Sequence, residues 1–362
     1  MEWTQPADFG IMAIMRVHYF KEAIMSIATL GIDLAKNVFH VHGRDAAGRP
    51  VFQKRVSRAA LVTFMANLTR CRARLEVCSG ANHWSRTLQA LGHDVRLISP
   101  QFVKPYVKSN KNDFNDAEAI CEAVLRPTMR FVPPKTVAQQ DLQNVHRVRR
   151  RLIGARTALV NQIRGLLAEY GIVVSQQVGR LRRALPGLLD DPTNTLTPLA
   201  RMTFMSLHEE LRGLDTRITA IDQELTRHCV GDERCRRLVA IEGIGTLTAT
   251  AIIAAVADPH AFKNGRHLAA WLGLVPRQHS SGGKPRLLGM SKRGDRYVRT
   301  ILIHGARAVV ARAATKSDAR SRWIADKRYQ RGTNRACVAV ANKNARIIWA
   351  LLAQGTSYRH AA

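Results

Sequence analysis

The sequence predicts an α/β domain, then helical arms, then a mainly helical basic domain. Three observations carry this. Up to about Val132, short apolar runs alternate with turn residues; from about residue 137 the apolar residues follow a 3,4 spacing; and beyond Arg234 cations crowd together. At roughly 150 residues per domain, 362 residues suggest about two domains, and 46% hydrophobic content is enough to fill real cores.

In chain order, Ala28 to Asp33 reads as a buried strand and Val38 to Arg44 as a second. Asp45-Ala-Ala-Gly48 reads as a hairpin turn before a third strand, Pro50 to Val56. Ser57 is expected to cap a helix through Leu61, Phe64, Met65 and Leu68. Arg74 to Cys78 reads as a fourth strand, His83 to Ala90 as a helix, Val95 to Ile98 as a fifth strand, and a helix starts near Asp113. Three antiparallel strands, then helix, strand, helix, strand and helix is the order of an RNase H-like fold.

Val145, Val148, Leu152, Ala155, Leu159 and Leu166 occupy a/d positions, with one polar interruption at Gln162. Leu207, Leu211, Leu214, Ile218, Ile221 and Leu225 repeat the pattern without interruption. These are two coiled-coil arms, joined by a Pro-, Gly-, Asp- and Thr-rich connection from Gly179 to Pro198. They pair either with a partner chain or with each other as an intramolecular hairpin. The domains are therefore drawn as an extension over 1–26, an α/β domain over 27–136, arms over 137–233, a basic domain over 234–355 and a tail over 356–362. Met25 looks like a natural start, which sets residues 1 to 24 outside the fold.

The 56 Lys+Arg against 27 Asp+Glu give a net charge of +29, and the pI is near 11.1. Such a field favours polyanions and makes small-molecule metabolism the minority reading. Between Lys263 and Arg335 stand eighteen Lys/Arg and only three acids, Asp295, Asp318 and Asp326. The six cysteines, Cys71, Cys78, Cys121, Cys229, Cys235 and Cys337, form no CxxC pair, which predicts a reducing cytoplasm and no zinc. The longest apolar run, Leu247 to Val256, is too short to span a bilayer, and no membrane partner is expected.

Carboxylates are scarce, so those that interrupt apolar strands need a reason. Asp33 and Glu76 each do so, and would be buried at a cost of several kcal/mol unless paired or bound to a cation. Asp113 and Asp116, three apart, share one face at a helix start. Singly, Asp33 reads as a turn cap and the Asp113/Asp116 pair as a favourable helix N-terminus. Together they suit Mg²⁺, a hard cation that prefers oxygen ligands and phosphate.

Near the other end stands Trp271-Leu-Gly-Leu-Val-Pro-Arg277-Gln-His279-Ser280-Ser281-Gly-Gly-Lys284, followed by Lys292-Arg293-Gly-Asp-Arg296-Tyr-Val-Arg299. A serine before a Gly-Gly turn is accessible, and Arg277, Lys284 and Arg286 suit a phosphate. A polar loop that only contacts phosphate gives the same letters, and His279 reads more simply as a phosphate contact than as a base. Gly243 and Gly245 in Ile241-Glu-Gly-Ile-Gly resemble a helix-hairpin-helix turn that offers backbone N–H groups to a DNA phosphate, although a packing glycine pair reads identically.

From Met25 onward the sequence resembles DEDD-type bacterial insertion-sequence transposases, a family that includes pilin-gene invertase and RNA-guided bridge recombinases. The resemblance rests on Gly-Ile-Asp33-Leu-Ala-Lys, Leu-Glu76-Val-Cys-Ser-Gly, Lys-Asn-Asp113-Phe-Asn-Asp116-Ala, the Gly-Ile-Gly hairpin, and Ser280-Ser281-Gly-Gly-Lys before Ser-Lys-Arg-Gly-Asp. The serine pair and double glycine resemble the subgroup with subterminal inverted repeats. The resemblance implies a RuvC-like domain whose Asp33, Glu76, Asp113 and Asp116 bind Mg²⁺. It also implies a carboxy-terminal transposase domain with a serine nucleophile, aligned with Ser281 (Ser280 second), that forms a covalent phosphoserine. It further implies double-stranded DNA (element ends and target) and a structured guide RNA as partners, arms that join homodimers or homotetramers, and a bacterial cytoplasmic, nucleoid-associated location. Lys292, Arg293, Arg296 and Arg299 join Arg277, Lys284 and Arg286 as expected nucleic-acid contacts. Two rivals stand: a Mg²⁺-dependent nuclease or junction resolvase without serine chemistry, and a non-catalytic nucleic-acid-binding protein.

Overall fold

The computed structural model describes residues 26–108 and 112–359, so the expected extension up to residue 25, Lys111 and the last three residues of the tail lie outside the described residues. Two compact units emerge, one ending at Thr136 and one beginning at Val137.

The first is built on a mixed six-stranded sheet in the order β3-β2-β1-β4-β5-β6. β1 (Thr29–Leu34), β2 (Val38–Arg44) and β3 (Pro50–Ser57) run antiparallel; β4 (Arg72–Glu76) lies parallel to β1, and β5 (Asp94–Ile98) parallel to β4. Leu30, Ile32, Phe39, Val41, Ala73 and Leu75 alternate along their strands, share one face of the sheet and are fully buried in one core. The β2–β3 turn closes where expected: Asp45 Oδ1 accepts from Arg49 N at 2.8 Å, and Gly48 takes φ +82°. A two-residue strand, β6 (Phe131–Val132), pairs antiparallel to β5 and was not read from the sequence.

α1 (Leu61–Ala66) is shorter than expected. Ser57 ends β3, and its Oγ accepts from Ala60 N at 3.3 Å, so it opens the turn before the helix while Ala60 takes the N-cap position. α2 (Ala81–Ala90) buries Trp84 and Leu88. α3 (Asp113–Val124) is capped by Asn112, whose side chain accepts from Phe114 N, and it buries Ala117, Ala119, Ile120, Cys121 and Ala123.

The second unit is helical apart from one hairpin. α4 (Val137–Ala168) and α6 (Pro198–Gly231) pack on each other within the chain, through a core that includes Leu152, Leu159, Ile163, Leu211, Leu214 and Ile218. The expected stripe on α6 is buried or half-buried throughout. On α4 Val145, Leu152, Ala155 and Leu159 are buried or half-buried as expected, but Val148 and Leu166 are exposed, and His146, Val160, Ile163 and Leu167 are buried in addition. The arm connection is also corrected. It contains a helix, α5 (Val178–Asp190), that buries Leu181 and Leu185 and carries Pro186 within it.

The remaining core is built from α7 (Glu233–Val239), α8 (Thr246–Ala255), α9 (Gly265–Trp271), α10 (Arg296–Arg312), α11 (Ala319–Arg331) and α12 (Thr333–Gln354). Leu142 and Leu225 at the base of the arms belong to the same core. Among the described residues α12 alone is long and apolar enough to cross a membrane, yet Val340, Ala341, Ala345 and Ile348 on it are fully buried in this core.

Candidate functional site

The acidic centre follows from strand register. Ile32 pairs with Leu75 across parallel β1 and β4, so Asp33 and Glu76 are the next residues along on neighbouring central strands. Gly31 lies two residues before Asp33 and therefore on the same face. A Cβ there would collide with Ala117 O and lie 2.8 Å from Cys121 Sγ, so only glycine lets α3 lie this close to β1. That approach brings the first turn of α3 to Asp33. Carboxylate oxygens of Asp33, Asp113 and Asp116 lie within 4.8 Å of one another, and Glu76 stands outside this threesome.

Electrostatics mark the cluster as unbalanced. Burial, then the charges of Asp116 and Asp113, push the Asp33 carboxyl above its ordinary value; burial, then Asp33 and Asp116, do the same to Glu76. The Cys78 thiol is pushed up to about 11 by burial and then by Asp33 and Glu76. Among the described residues no Lys or Arg forms an ion pair with any of the four acids, in a chain that carries +29. The sequence reading missed His40. It pairs with Asp33 across β1 and β2, its Nδ1 lies 3.5 Å from Asp113 Oδ2, and its ring meets Phe114 edge-on. Counting the register outward from the Ala35-Lys-Asn37 connection would have found it. An all-oxygen carboxylate set with no Lys or Arg partner among the described residues fits a hard divalent cation.

Ser281 sits in a different setting. β7 (Pro276–Gln278) and β8 (Leu287–Met290) form a two-stranded hairpin, exposed from Pro276 to Leu287. Lys284 N donates to Ser281 O at 3.1 Å around Gly282 (φ +56°) and Gly283 (φ +73°), the type I′ turn that explains the double glycine. The two serines differ. Ser280 Oγ accepts from Gln278 Nε2 at 2.8 Å and from Arg286 N at 3.3 Å, whereas the Ser281 hydroxyl has no hydrogen bond among the described residues.

Arg277, Lys284, Arg286, Lys292, Arg293 and Arg296 are exposed. Lys292 adopts φ +55°, an uncommon backbone state for a residue with a Cβ and one that concentrates at functional loops. Arg299 is buried instead: its Nη1 donates to Leu272 O and Arg293 O, which ties the basic loop to the end of α9. Of the two hairpin glycines, Gly243 (φ +84°) packs against Gly305 of α10, while Gly245 opens α8 with free space around it. The sequence reading also passed over Arg147-Val-Arg-Arg-Arg151 on α4.

A DEDD transposase family profile for IS110 elements matches residues 30–172, and one described as the transposase IS116/IS110/IS902 family matches residues 235–323. The chain is 49% identical over 340 residues to a probable family 20 transposase of Pseudomonas aeruginosa, covering 92% of this chain and 99% of that protein. It is 47% identical to the transposase for insertion sequence element IS1111A of Coxiella burnetii, over 97% and 98% of the two chains. It is 40% identical to the transposase for IS1328 of Yersinia enterocolitica, over 92% and 99%.

Proposed function

Because the chain belongs to the IS110 family of DEDD transposases, enzymes that cut and rejoin DNA for insertion-sequence mobility, we propose that its acids hold Mg²⁺ and that Ser281 is its nucleophile. The observation that carries this reading is the convergence of Asp33, Asp113 and Asp116, with which no Lys or Arg forms an ion pair among the described residues. These three, with Glu76 beside them, would hold the ion. When bound, Mg²⁺ would neutralise the clustered charge and polarise a phosphate. The sheet order β3-β2-β1-β4-β5 supports an RNase H-like, RuvC-like reading of this domain.

Ser281 is preferred over Ser280 because its hydroxyl is exposed and unengaged. Its Oγ attacks a DNA phosphorus as the bond from phosphorus to the leaving deoxyribose oxygen breaks, which leaves a phosphoserine; attack by an incoming strand end restores the serine. Serine chemistry needs a proton acceptor, a role that carboxylates can fill. Arg277, Lys284 and Arg286 flank the turn and offset the phosphorane charge. Lys292, Arg293, Arg296 and the backbone at Gly245 contact DNA, and Gly243 and Arg299 shape the elements that carry them. Sequence choice falls to a structured guide RNA encoded by the element, the arms join protomers into dimers or tetramers, and the enzyme works on DNA in the bacterial cytoplasm.

The test is a denaturing gel of protein incubated with element-end DNA and Mg²⁺. A covalent protein–DNA band is expected from wild type and from Ser280→Ala, and none from Ser281→Ala or Asp116→Ala. Cleavage that survives in both serine variants, without a covalent band, would establish hydrolysis by a nuclease; no effect of Asp33→Ala or Asp116→Ala beyond affinity would leave a non-catalytic binder. Sequencing of co-purified RNA tests guidance, with element-flanking RNA expected and random cellular RNA against it.

A further inference from the structure

The second unit contains a basic cleft apart from the serine hairpin. It has a volume of about 280 Å³ and lies between α4 and the start of α10, over a floor of Ala251, Ala254 and Ala255 on α8. We propose that this cleft is a receptor for a nucleic-acid backbone phosphodiester, held by Arg147, Arg150 and Arg296. The proposal deepens the nucleic-acid reading above and rests on it.

Helix geometry sorts the arginines of α4. Arg149 turns to Asp222 on α6, with Nε on Oδ1 at 2.5 Å and Nη2 on Oδ2 at 3.2 Å, and so ties the arms together. Arg147 and Arg150, three apart, share the face that lines the cleft, and Arg296 lines it from α10. All three are exposed, and none of their guanidinium groups has an ion pair or hydrogen bond among the described residues. The one acid in the cleft lining caps α10 and keeps its charge, so three guanidinium groups face one carboxylate: Asp295 Oδ1 accepts from Tyr297 N at 2.7 Å and Val298 N at 3.0 Å. That bond also occupies the helix amides, so the guanidinium groups are the receptor.

The walls are fixed by a buried polar chain. His146 Nδ1 lies 3.0 Å from the Tyr297 hydroxyl and Nε2 3.1 Å from Thr250 Oγ1, which donates to Thr246 O at 2.8 Å. The proton of Thr250 is committed to that carbonyl, so His146 Nε2 donates to Thr250 and His146 Nδ1 accepts from Tyr297. The ring of Tyr297 packs on His146 and its hydroxyl is engaged, so the cleft offers no free aromatic face for a base. Three cations around a small alanine floor match a run of backbone phosphates better than a single carboxylate.

The experiment measures full-chain binding by fluorescence anisotropy, across a salt series, to a DNA duplex in one arm and to a structured RNA in the other. The triple variant R147Q/R150Q/R296Q is expected to lower affinity by about tenfold or more at 0.1 M salt and to flatten the log–log salt slope by about one for each phosphate no longer neutralised. The R147K/R150K/R296K variant keeps the charges and is expected to recover most of both. Loss in one arm alone names the nucleic acid that occupies the cleft, and loss in both assigns a shared backbone site. A control removes three exposed arginines of the arms, R183Q/R212Q/R217Q, with the same change in net charge. The proposal is overturned if this control weakens binding as much, or if the cleft triple binds like wild type, in which case the nucleic-acid reading survives; absence of wild-type binding to either probe overturns both.

Discussion

The acidic centre and the serine hairpin are built in opposite ways. Asp33, Asp113 and Asp116 are placed by strand register and by a helix pressed against Gly31, and no Lys or Arg forms an ion pair with them among the described residues. Ser281 stands on an exposed two-residue turn held by little more than its own hairpin bonds. The first site is preorganised and strained by like charge, so it is a reservoir of stability that a cation would release. The second is unstrained and gains its position from whatever binds it. Loss of function should therefore separate from loss of stability in one region and couple to it in the other.

The largest expected effect is on catalysis. Asp33→Asn and Ser281→Ala should each reduce strand cleavage by about 10³-fold or more, since each removes a group from the chemical step. Stability should distinguish them. In metal-free buffer Asp33→Asn should raise the free energy of unfolding by about 1 kcal/mol after allowing for solvent screening, because it removes one of the clustered charges. Ser281→Ala should leave stability within about 0.5 kcal/mol of wild type. If Asp33→Asn were less stable than wild type without metal, the picture of a strained acidic centre would be wrong.

Next is Gly31→Ala. Backbone and a buried sulfur meet the new methyl group, so α3 must retreat. We expect a loss of about 2–3 kcal/mol in chemical denaturation, together with loss of cleavage, because Asp113 and Asp116 move with the helix. Wild-type stability in this variant would mean that the close approach is not what assembles the site.

The sequence showed the strands of the first unit because apolar runs and turn residues are local signals, and Asp33 and Glu76 were visible as charges breaking such runs. Of the four acids that the family resemblance named, the fold gathers Asp33, Asp113 and Asp116 and leaves Glu76 outside the threesome. His40 was not visible, because its nearness to Asp113 depends on cross-strand register and on the approach of α3. α5 was hidden by Pro186 and the glycines around it, although Leu181 and Leu185, four apart, carried a helical signal. Part of the α4 stripe went astray because the apolar letters Val148 and Leu166 lie outside the buried face there. His146 is buried through hydrogen bonds to Tyr297 and Thr250 that only tertiary structure supplies.

pH should act on the acidic centre and on the buried His146 with opposite sign. Folding raises the carboxyl values of Asp33 and Glu76, so their contribution is fully present below the ordinary carboxylate values of 3.8 and 4.5 and is lost as pH rises through the raised ones. Burial, then Arg149, lowers His146 to about 4, so its contribution is whole above about pH 6.5 and is lost as pH falls toward about 4. One proton linked in that window gives a slope of at most about 1.4 kcal/mol per pH unit. Hydrogen exchange of metal-free protein from pH 7 to pH 5 should show protection falling around α4, α8 and α10, and His146→Gln should flatten that fall. An unchanged slope in His146→Gln would remove the buried imidazole from the account.

The smallest expected effect on stability belongs to Gly282. Its φ of +56° disfavours a side chain, but a Cβ there meets nothing within 4 Å, so Gly282→Ala should cost no more than about 1 kcal/mol. Asparagine tolerates this conformation at the first turn position, and Gly282→Asn should keep both the turn and strand cleavage. Gly282→Val should deform the turn that presents Ser281, and so lose cleavage while the unfolding midpoint moves little. Gly31→Ala and Gly282→Val would then abolish the same reaction by different routes, one through the core and one through the shape of an exposed turn. A drop in midpoint for Gly282→Val as large as that for Gly31→Ala would erase the distinction, because it would show the hairpin to be part of the folded core.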